Sequence, residues 1–360
     1  MCFVPFVVKY SESDLLLCAF AKVNSLLLMD KEQLMRRHKI LTVFIALFAP
    51  LALVSRLPAQ ERFKKVRIIY PTESIAMLPL FAALRWKAFE SQDLQAEIIQ
   101  ARSQVANAVM ASGEAGYFAG VGPASISATL RGMPSRAIWF ATDELLYSLI
   151  ARPEFRSIKD LRNKKIGLTG LGGTAHVALQ IALEAADENP KNFVYLSIAA
   201  MQLPVALETG AVDAGLFSPP FDVQAKKRGY RDLLDVGSHA KMPFGGLTTM
   251  LSTLRSRPDE VKKVIRALQS AKQEMLKSRE KTVAMISSYL KVDRETAEGT
   301  YAAYVRTVSG SGVPNPVGIE QIVKSLQLAG QFTDRKVAFD EVADARIAKE
   351  VAKELGYKVD

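Results

Sequence analysis

Residues 164–185 read KKIGLTGLGGTAHVALQIALEA. The stretch KIGLT is a short apolar run suited to a strand, GLGG is a tight turn, and from Thr174 onward apolar residues recur at helical spacing. Strand, glycine turn and helix make the first half of a βαβ unit. GLGGTA also satisfies the G-x-G-x-x-G/A dinucleotide pattern, which then requires an acidic residue at the end of the next strand. Glu184, Asp187 and Glu188 come too early, in the helix and its exit, and the next strand candidate, FVYLSIA, ends without an acid. No Lys follows the glycines, so the phosphate-binding P-loop pattern fails as well. What remains is a turn whose bare N–H groups and helix dipole favour a carboxylate, sulfonate or phosphate. Gly172 and Gly173 let a ligand approach the backbone, and Thr174 adds a hydroxyl. His176, in the first helical turn, faces either the ligand or solvent, and an ordinary tight turn with a Thr cap is the plainer alternative.

The same alternation extends on both sides. VRIIY, LQAEIIQ and GYFAGV read as strands, with helices expected over residues 77–90 and in QVANAVMAS. AIWFAT (137–142) and LYSLIAR (146–152) follow, then a capping box of Ser157 and Asp160 over a short helix. After the glycine turn come FVYLSIA, QLPVALETG and DAGLFS. This pattern predicts an α/β fold with mainly parallel sheets covered on both faces. Ser256, Pro258 and Asp259 then open a helix, and nearly all of the remainder is helical apart from SGSGVPNPVG. Two stretches, SGEAGYFAGVGP (112–123) and TGAVDAGLFSPP (209–220), align without gaps, which suggests two related lobes facing one cleft.

The chain of 360 residues has 49% hydrophobic and 23% charged residues, a globular composition large enough for two or three domains. Residues 35–59, MRRHKILTVFIALFAPLALVSRLPA, carry a basic start, an uncharged apolar run and a small residue at the end, the three parts of a secretory signal peptide. Residues 1–34 are then expected to be an extension from a mis-assigned start, with a genuine longer leader or an uncleaved anchor as alternatives. Beyond residue 59 the chain holds 40 basic and 33 acidic residues, without the basic stripe that nucleic-acid binding demands. Both cysteines, Cys2 and Cys18, precede that point. The exported part therefore has no thiol nucleophile, disulfide or cysteine metal site, and no cofactor or metal is expected. Catalytic motifs are absent: there is no H-E-x-x-H and no G-x-S-x-G, and the adjacent Asp143 and Glu144 read as a solvated turn before an acid/base pair.

The order YPTES, SGEAGYFAGVGPA, SIKDLRNKKIG with GGTAH, ETGAVDAGLFSPPFD and PDEVKKVIRAL resembles solute-binding proteins of ABC importers, of the nitrate/taurine/sulfonate class and similar to thiamine-pyrimidine-precursor-binding proteins. The resemblance spans residues 66–357. It implies a type II periplasmic-binding fold, with lobe I at 60–147 and 242–360, including the C-terminal helices, and lobe II at 148–241. It implies hinges near residues 145–152 and 238–244. By position, the ligand would be lined by Tyr70, Thr72, Glu73 and Ser74, by Gly122, Pro123 and Ala124, by Gly172, Gly173, Thr174 and His176, and by Ser218, Pro219 and Phe221. The implied role is a monomeric periplasmic binder of an organic anion or a pyrimidine-like solute, serving an ABC permease rather than acting as an enzyme. The cysteine chemistries of the enzymes in this group have no residue to carry them here. A secreted enzyme using His176 or Asp143, or a sensing subunit of a membrane receptor, are the rivals. One departure stands out: relatives commonly show an acid where this chain has Gly116, whereas Asp213 keeps it in the second copy.

Overall fold

The structure, a computed structural model, describes residues 63–71, 74–101, 103–171, 174–243 and 245–359. The expected extension and signal peptide, residues 1–59, lie outside these. The described chain begins as an alternation: β1 (Lys64–Tyr70), α1 (Leu78–Arg85), β2 (Leu94–Gln100), α2 (Ser103–Ala111), β3 (Tyr117–Phe118), α3 (Pro123–Leu130) and β4 (Ser135–Phe140). It continues with β5 (Ser148–Ala151), β6 (Lys165–Leu168), α4 (Thr174–Ala185), β7 (Val194–Ser197), α5 (Leu203–Glu208), β8 (Ala214–Phe217), α6 (Phe221–Lys227) and β9 (Arg231–Asp235). The short α7 (Val236–His239) leads to β10 (Gly246–Met250), and seven helices follow: α8 (Leu251–Ser256), α9 (Pro258–Lys277), α10 (Arg279–Leu290), α11 (Arg294–Thr307), α12 (Pro316–Leu328), α13 (Phe339–Val342) and α14 (Arg346–Glu354).

The strands form two five-stranded sheets in a two-lobed α/β architecture, as the alternation requires. One runs β2-β1-β3-β10-β4 and the other β7-β6-β8-β5-β9. In both, the fourth strand alone is reversed: β10 is antiparallel to β3 and β4, and β5 to β8 and β9. The reason is the route of the chain. From the carboxyl end of β4 it crosses through residues 141–147 straight into the second sheet, entering at the end where that sheet's other strands finish. The return from β9 through 236–245 does the same in the first sheet. The sheets are thus mixed rather than purely parallel, and each fourth strand is supplied by a crossing. The repeated stretches 112–123 and 209–220 place β3 and β8 at the same third position of their sheets.

Burial on both faces explains the near-continuous apolar strands: Ile68 and Ile69 of β1 are both fully buried although they point to opposite faces. One core lies between β1, α1 and α9, and a second joins Phe140 and Ile126 to Ile166 and Leu179 through Ile319 and Ile322 of α12. α12 therefore lies on both α3 and α4, and α11 on α6. α1 stops at Arg85, short of the expected residue 90, because Lys87 takes a left-handed φ of 59° and the chain turns. The expected capping box forms over a 3-10 turn: Asp160 Oδ2 accepts from the N–H of Ser157 at 2.9 Å. Asp213 Oδ2 accepts from the N–H of Lys165 and ties β8 to the start of β6. At Gly116, where no carboxylate is available, Thr249 Oγ1 donates to the backbone carbonyl at 2.7 Å and holds β10 to that turn instead.

Asn315 caps α12, accepting the N–H of Gly318 at 2.7 Å, and its Nδ2 reaches Asp143 Oδ1 at 3.4 Å. Asn315→Ala is expected to lower stability by about 1 kcal/mol, read as a shift in urea midpoint without change of slope.

Candidate functional site

In open α/β sheets ligands gather beyond the carboxyl ends of the strands. The central strands β1, β3, β6 and β8 each end in a segment where the expected ligand-lining residues sit. β1 ends at Tyr70; Thr72 and Glu73 lie outside the described residues, and Ser74 precedes a 3-10 turn at Ile75–Met77. Ser74 Oγ is enclosed and makes no hydrogen bond, so it is free to take a partner. After β3, the extended Gly122 leads into α3 with Pro123 in its first turn, and Ala124 beside it is exposed. Ser125 Oγ and Thr248 Oγ1 both donate to the Gly120 carbonyl, at 3.1 and 2.7 Å, and fix this turn against β10. After β6, Thr174 begins α4 and is half-buried; Gly172 and Gly173 lie outside the described residues. After β8, the Ser218 carbonyl accepts from Phe221 N at 3.0 Å, and the Pro219–Pro220 bond in that turn is cis. Phe221 is half-buried and begins α6.

Two of the expected residues have their rings engaged elsewhere. Tyr70 packs edge-on against Phe81 at 5.3 Å, in the core between β1 and α1. His176 packs edge-on against Tyr195 of β7 at 4.7 Å, toward the outer strand of its sheet, and burial holds its pKa below the ordinary value. The candidate catalytic Asp143 belongs to the first crossing. Burial raises its pKa, opposed by a hydrogen bond from Ser309 and by the charge of Lys272. It lies among Ser309, Lys272 and Asn315.

The two crossings are in direct contact. The Tyr147 carbonyl accepts from the N–H groups of Val236 and Gly237, at 2.9 and 3.2 Å. Of the residues expected to act as a hinge, 145–152, residues 148–151 form β5. Sequence reasoning missed two buried charged residues near this junction. Lys272 of α9 is fully buried, with Nζ 3.4 Å from the Phe140 carbonyl and 4.9 Å from the Trp139 ring centre. Asp222 of α6 is 5% exposed. An apolar helix face gives Lys272 no local signal. Asp222 follows the double proline and was visible only as part of a turn. Among the described residues, no group of His, Cys, Asp and Glu is arranged to hold a metal ion, and no helix is long and apolar enough to cross a membrane.

A family model described as NMT1/THI5 like matches residues 75–282, more than half of the chain. The chain belongs to the NMT1/THI5-like family. No curated protein matches it in sequence. Among solved structures, the periplasmic aliphatic sulphonate-binding protein SsuA of Escherichia coli is 16% identical with a TM-score of 0.63, over 78% of this chain and 92% of that one. The ligand-binding component of an ABC-type import system of Staphylococcus aureus, with zinc bound, is 15% identical with a TM-score of 0.65, over 80% and 99%. The desulfurization enzyme DSZB is 14% identical with a TM-score of 0.62, over 81% and 99%. The fold of this NMT1/THI5-like protein is therefore shared by import components and by at least one enzyme.

Proposed function

We propose that this NMT1/THI5-like protein is a periplasmic solute-binding protein, a monomer that captures a small organic solute between two lobes and delivers it to an ABC permease. Lobe I comprises residues 60–147 and 242–360, lobe II residues 148–241, and residues 35–59 direct export. The observation that carries this reading is the pairing of like with like. Two sheets of the same strand order end their central strands in turns that open helices, α3 after Gly122 and α4 at Thr174. Helix starts of that kind favour an anionic group, and they need no catalytic side chain to hold it. The Ser74 hydroxyl, enclosed without a partner, supplies a further contact. The likeness to import components agrees with a transport role, while the likeness to DSZB keeps chemistry on this fold in view.

Closure about the paired crossings converts binding into a signal for the permease, because a ligand that prefers the closed form shifts the population toward it. A thermal-shift screen of the purified protein against nitrate, alkanesulfonates, aromatic carboxylates and pyrimidines tests the reading. A true solute raises the melting point, by about 2.7 kcal/mol of stabilisation at one hundred times its Kd. Thr174→Ala is expected to weaken that solute about tenfold, the value of one hydrogen bond to a charged group, measured by calorimetry. A solute recovered chemically altered by mass spectrometry would instead establish an enzyme.

A further inference from the structure

The second sheet has two apolar faces. α4 packs on one of them with Leu149, Ile166 and Leu216. The other face, with Ile150 and Phe217, carries the short helices α5 and α6. Between those helices lies a groove of about 210 Å³. Its floor is Leu207 and Phe217, both buried, and Tyr230 adds a further ring to its wall. Met201, which follows β7, and Phe221, the first residue of α6, line it at the carboxyl ends of the strands. Met201 is 75% exposed, and Leu171 in the neighbouring glycine turn is 57% exposed. Large apolar side chains left in water around a concave apolar surface mark a place where an apolar group binds.

Size and charge define the occupant. An apolar cavity of about 150 Å³ is enough to take a benzene ring, so this groove holds one ring and its substituents. Among the described residues its wall has a single charged side chain, Arg228, which is exposed and already pairs with Glu208 at 3.5 Å. The groove therefore suits an uncharged body, and an anionic end has to lie elsewhere. Phe221 connects the two, since it lines the groove and also belongs to the expected solute site. Gly215 of β8 pairs in parallel with Gly167 of β6. Phe217 is thus level with Thr169, about 5 Å away across the sheet, where the chain enters the glycine turn. We infer that the solute is an aromatic acid, its ring seated between α5 and α6 against Phe217, Phe221 and Met201, and its carboxylate or sulfonate directed over the strand ends toward Thr174. Ring–ring and sulfur–ring contacts both favour an aromatic body there. The inference rests on the proposed transport reading and narrows its solute class: nitrate and the smallest alkanesulfonates leave the groove empty.

The test is calorimetry on the whole protein with matched pairs of probes: benzenesulfonate against methanesulfonate, and benzoate against acetate. In at least one pair the aromatic member is expected to bind about tenfold tighter or more, from burial of its ring. Its heat-capacity change on binding should also be the more negative. Met201→Gln, at an exposed position that does not endanger folding, should weaken the aromatic member several-fold and leave its small partner unaltered. Phe221→Leu, which keeps an apolar residue and removes the ring, should do the same, whereas Thr174→Ala should weaken both members alike. Equal affinity within both pairs, or a Met201→Gln effect shared by both members, overturns the inference and leaves the transport reading standing. Silence from all four probes overturns it too, and the transport reading falls with it only if the wider solute screen is also silent.

Discussion

Gly237→Ala is expected to destabilise the protein by about 3 kcal/mol or more, at the upper end of what overpacking costs. A Cβ built on Gly237 falls 2.0 Å from the Leu145 carbonyl oxygen and 3.1 Å from its carbon. Both atoms are backbone, so no side chain is able to swing aside. Nor is the crossing free to retreat, because the Tyr147 carbonyl two residues on is held by Val236 N and Gly237 N. Relief requires the two crossings to part, with the loss of one or both of those hydrogen bonds. Urea denaturation measures the cost. Gly310→Ala is the control: a Cβ there meets nothing within 4 Å, and its backbone is not left-handed, so its effect should stay within about 0.5 kcal/mol. Since the paired crossings are also the proposed hinge, Gly237→Ala should alter the compaction on ligand binding seen by small-angle scattering. A midpoint equal to that of the control would mean that the crossings separate without cost.

Lys272→Met is expected to stabilise the protein at pH 6, by about 3 kcal/mol, and to lose that advantage as the pH approaches 10. Burial pushes the Lys272 ammonium from its ordinary 10.5 down to about 7, against the opposing pull of Asp143. Below pH 7 both folded and unfolded chains carry the proton, and the folded one bears the full desolvation cost. Between about 7 and 10.5 the unfolded chain binds more protons than the folded one, so stability from this group rises with pH. Above that window the amine is neutral in both states and the penalty is gone. Methionine keeps the length and apolar stem without a charge to bury; it loses the contact with the Trp139 ring, the long bond to the Phe140 carbonyl and the attraction of the Asp143 charge, which the relief of desolvation has to outweigh. Urea midpoints for both proteins at pH 6, 8 and 10 decide the matter. A difference that stays flat across the three would show that the lysine titrates as in water.

The contrast between Lys272 and the glycine turn shows what a sequence makes legible. KIGLTGLGGTAH carries its structure locally: β-rich residues, then glycines, then helical spacing, and β6 and α4 appear where that reading puts them. The repeat at 112–123 and 209–220 was likewise visible, and it marks equivalent strands of the two sheets. Strand pairing is not local. Nothing in GLTTM tells the reader that β10 inserts between β3 and β4, more than one hundred residues earlier, or that it runs against them. Within α9, Lys272 occupies a core position among Leu268, Ala271 and Met275, and only the packing of Trp139 and Phe140 against that face reveals a buried charge. At the candidate site, the positions at strand ends were readable from the alternation. The directions of Tyr70 and His176 were not, since a ring turns toward whichever aromatic neighbour the fold supplies.

The exchange of fourth strands has a consequence for biosynthesis. Until residues 246–250 have left the ribosome, the first sheet is missing the strand that joins β3 to β4, and those two present unpaired edges. Contacts so distant in sequence form slowly, and domains generally fold as units only once complete. The second sheet, built from residues 148–235, is complete before that point, so the nascent chain holds one finished sheet and one open one until β10 arrives, and the core of the first sheet is sealed only after the helices that follow.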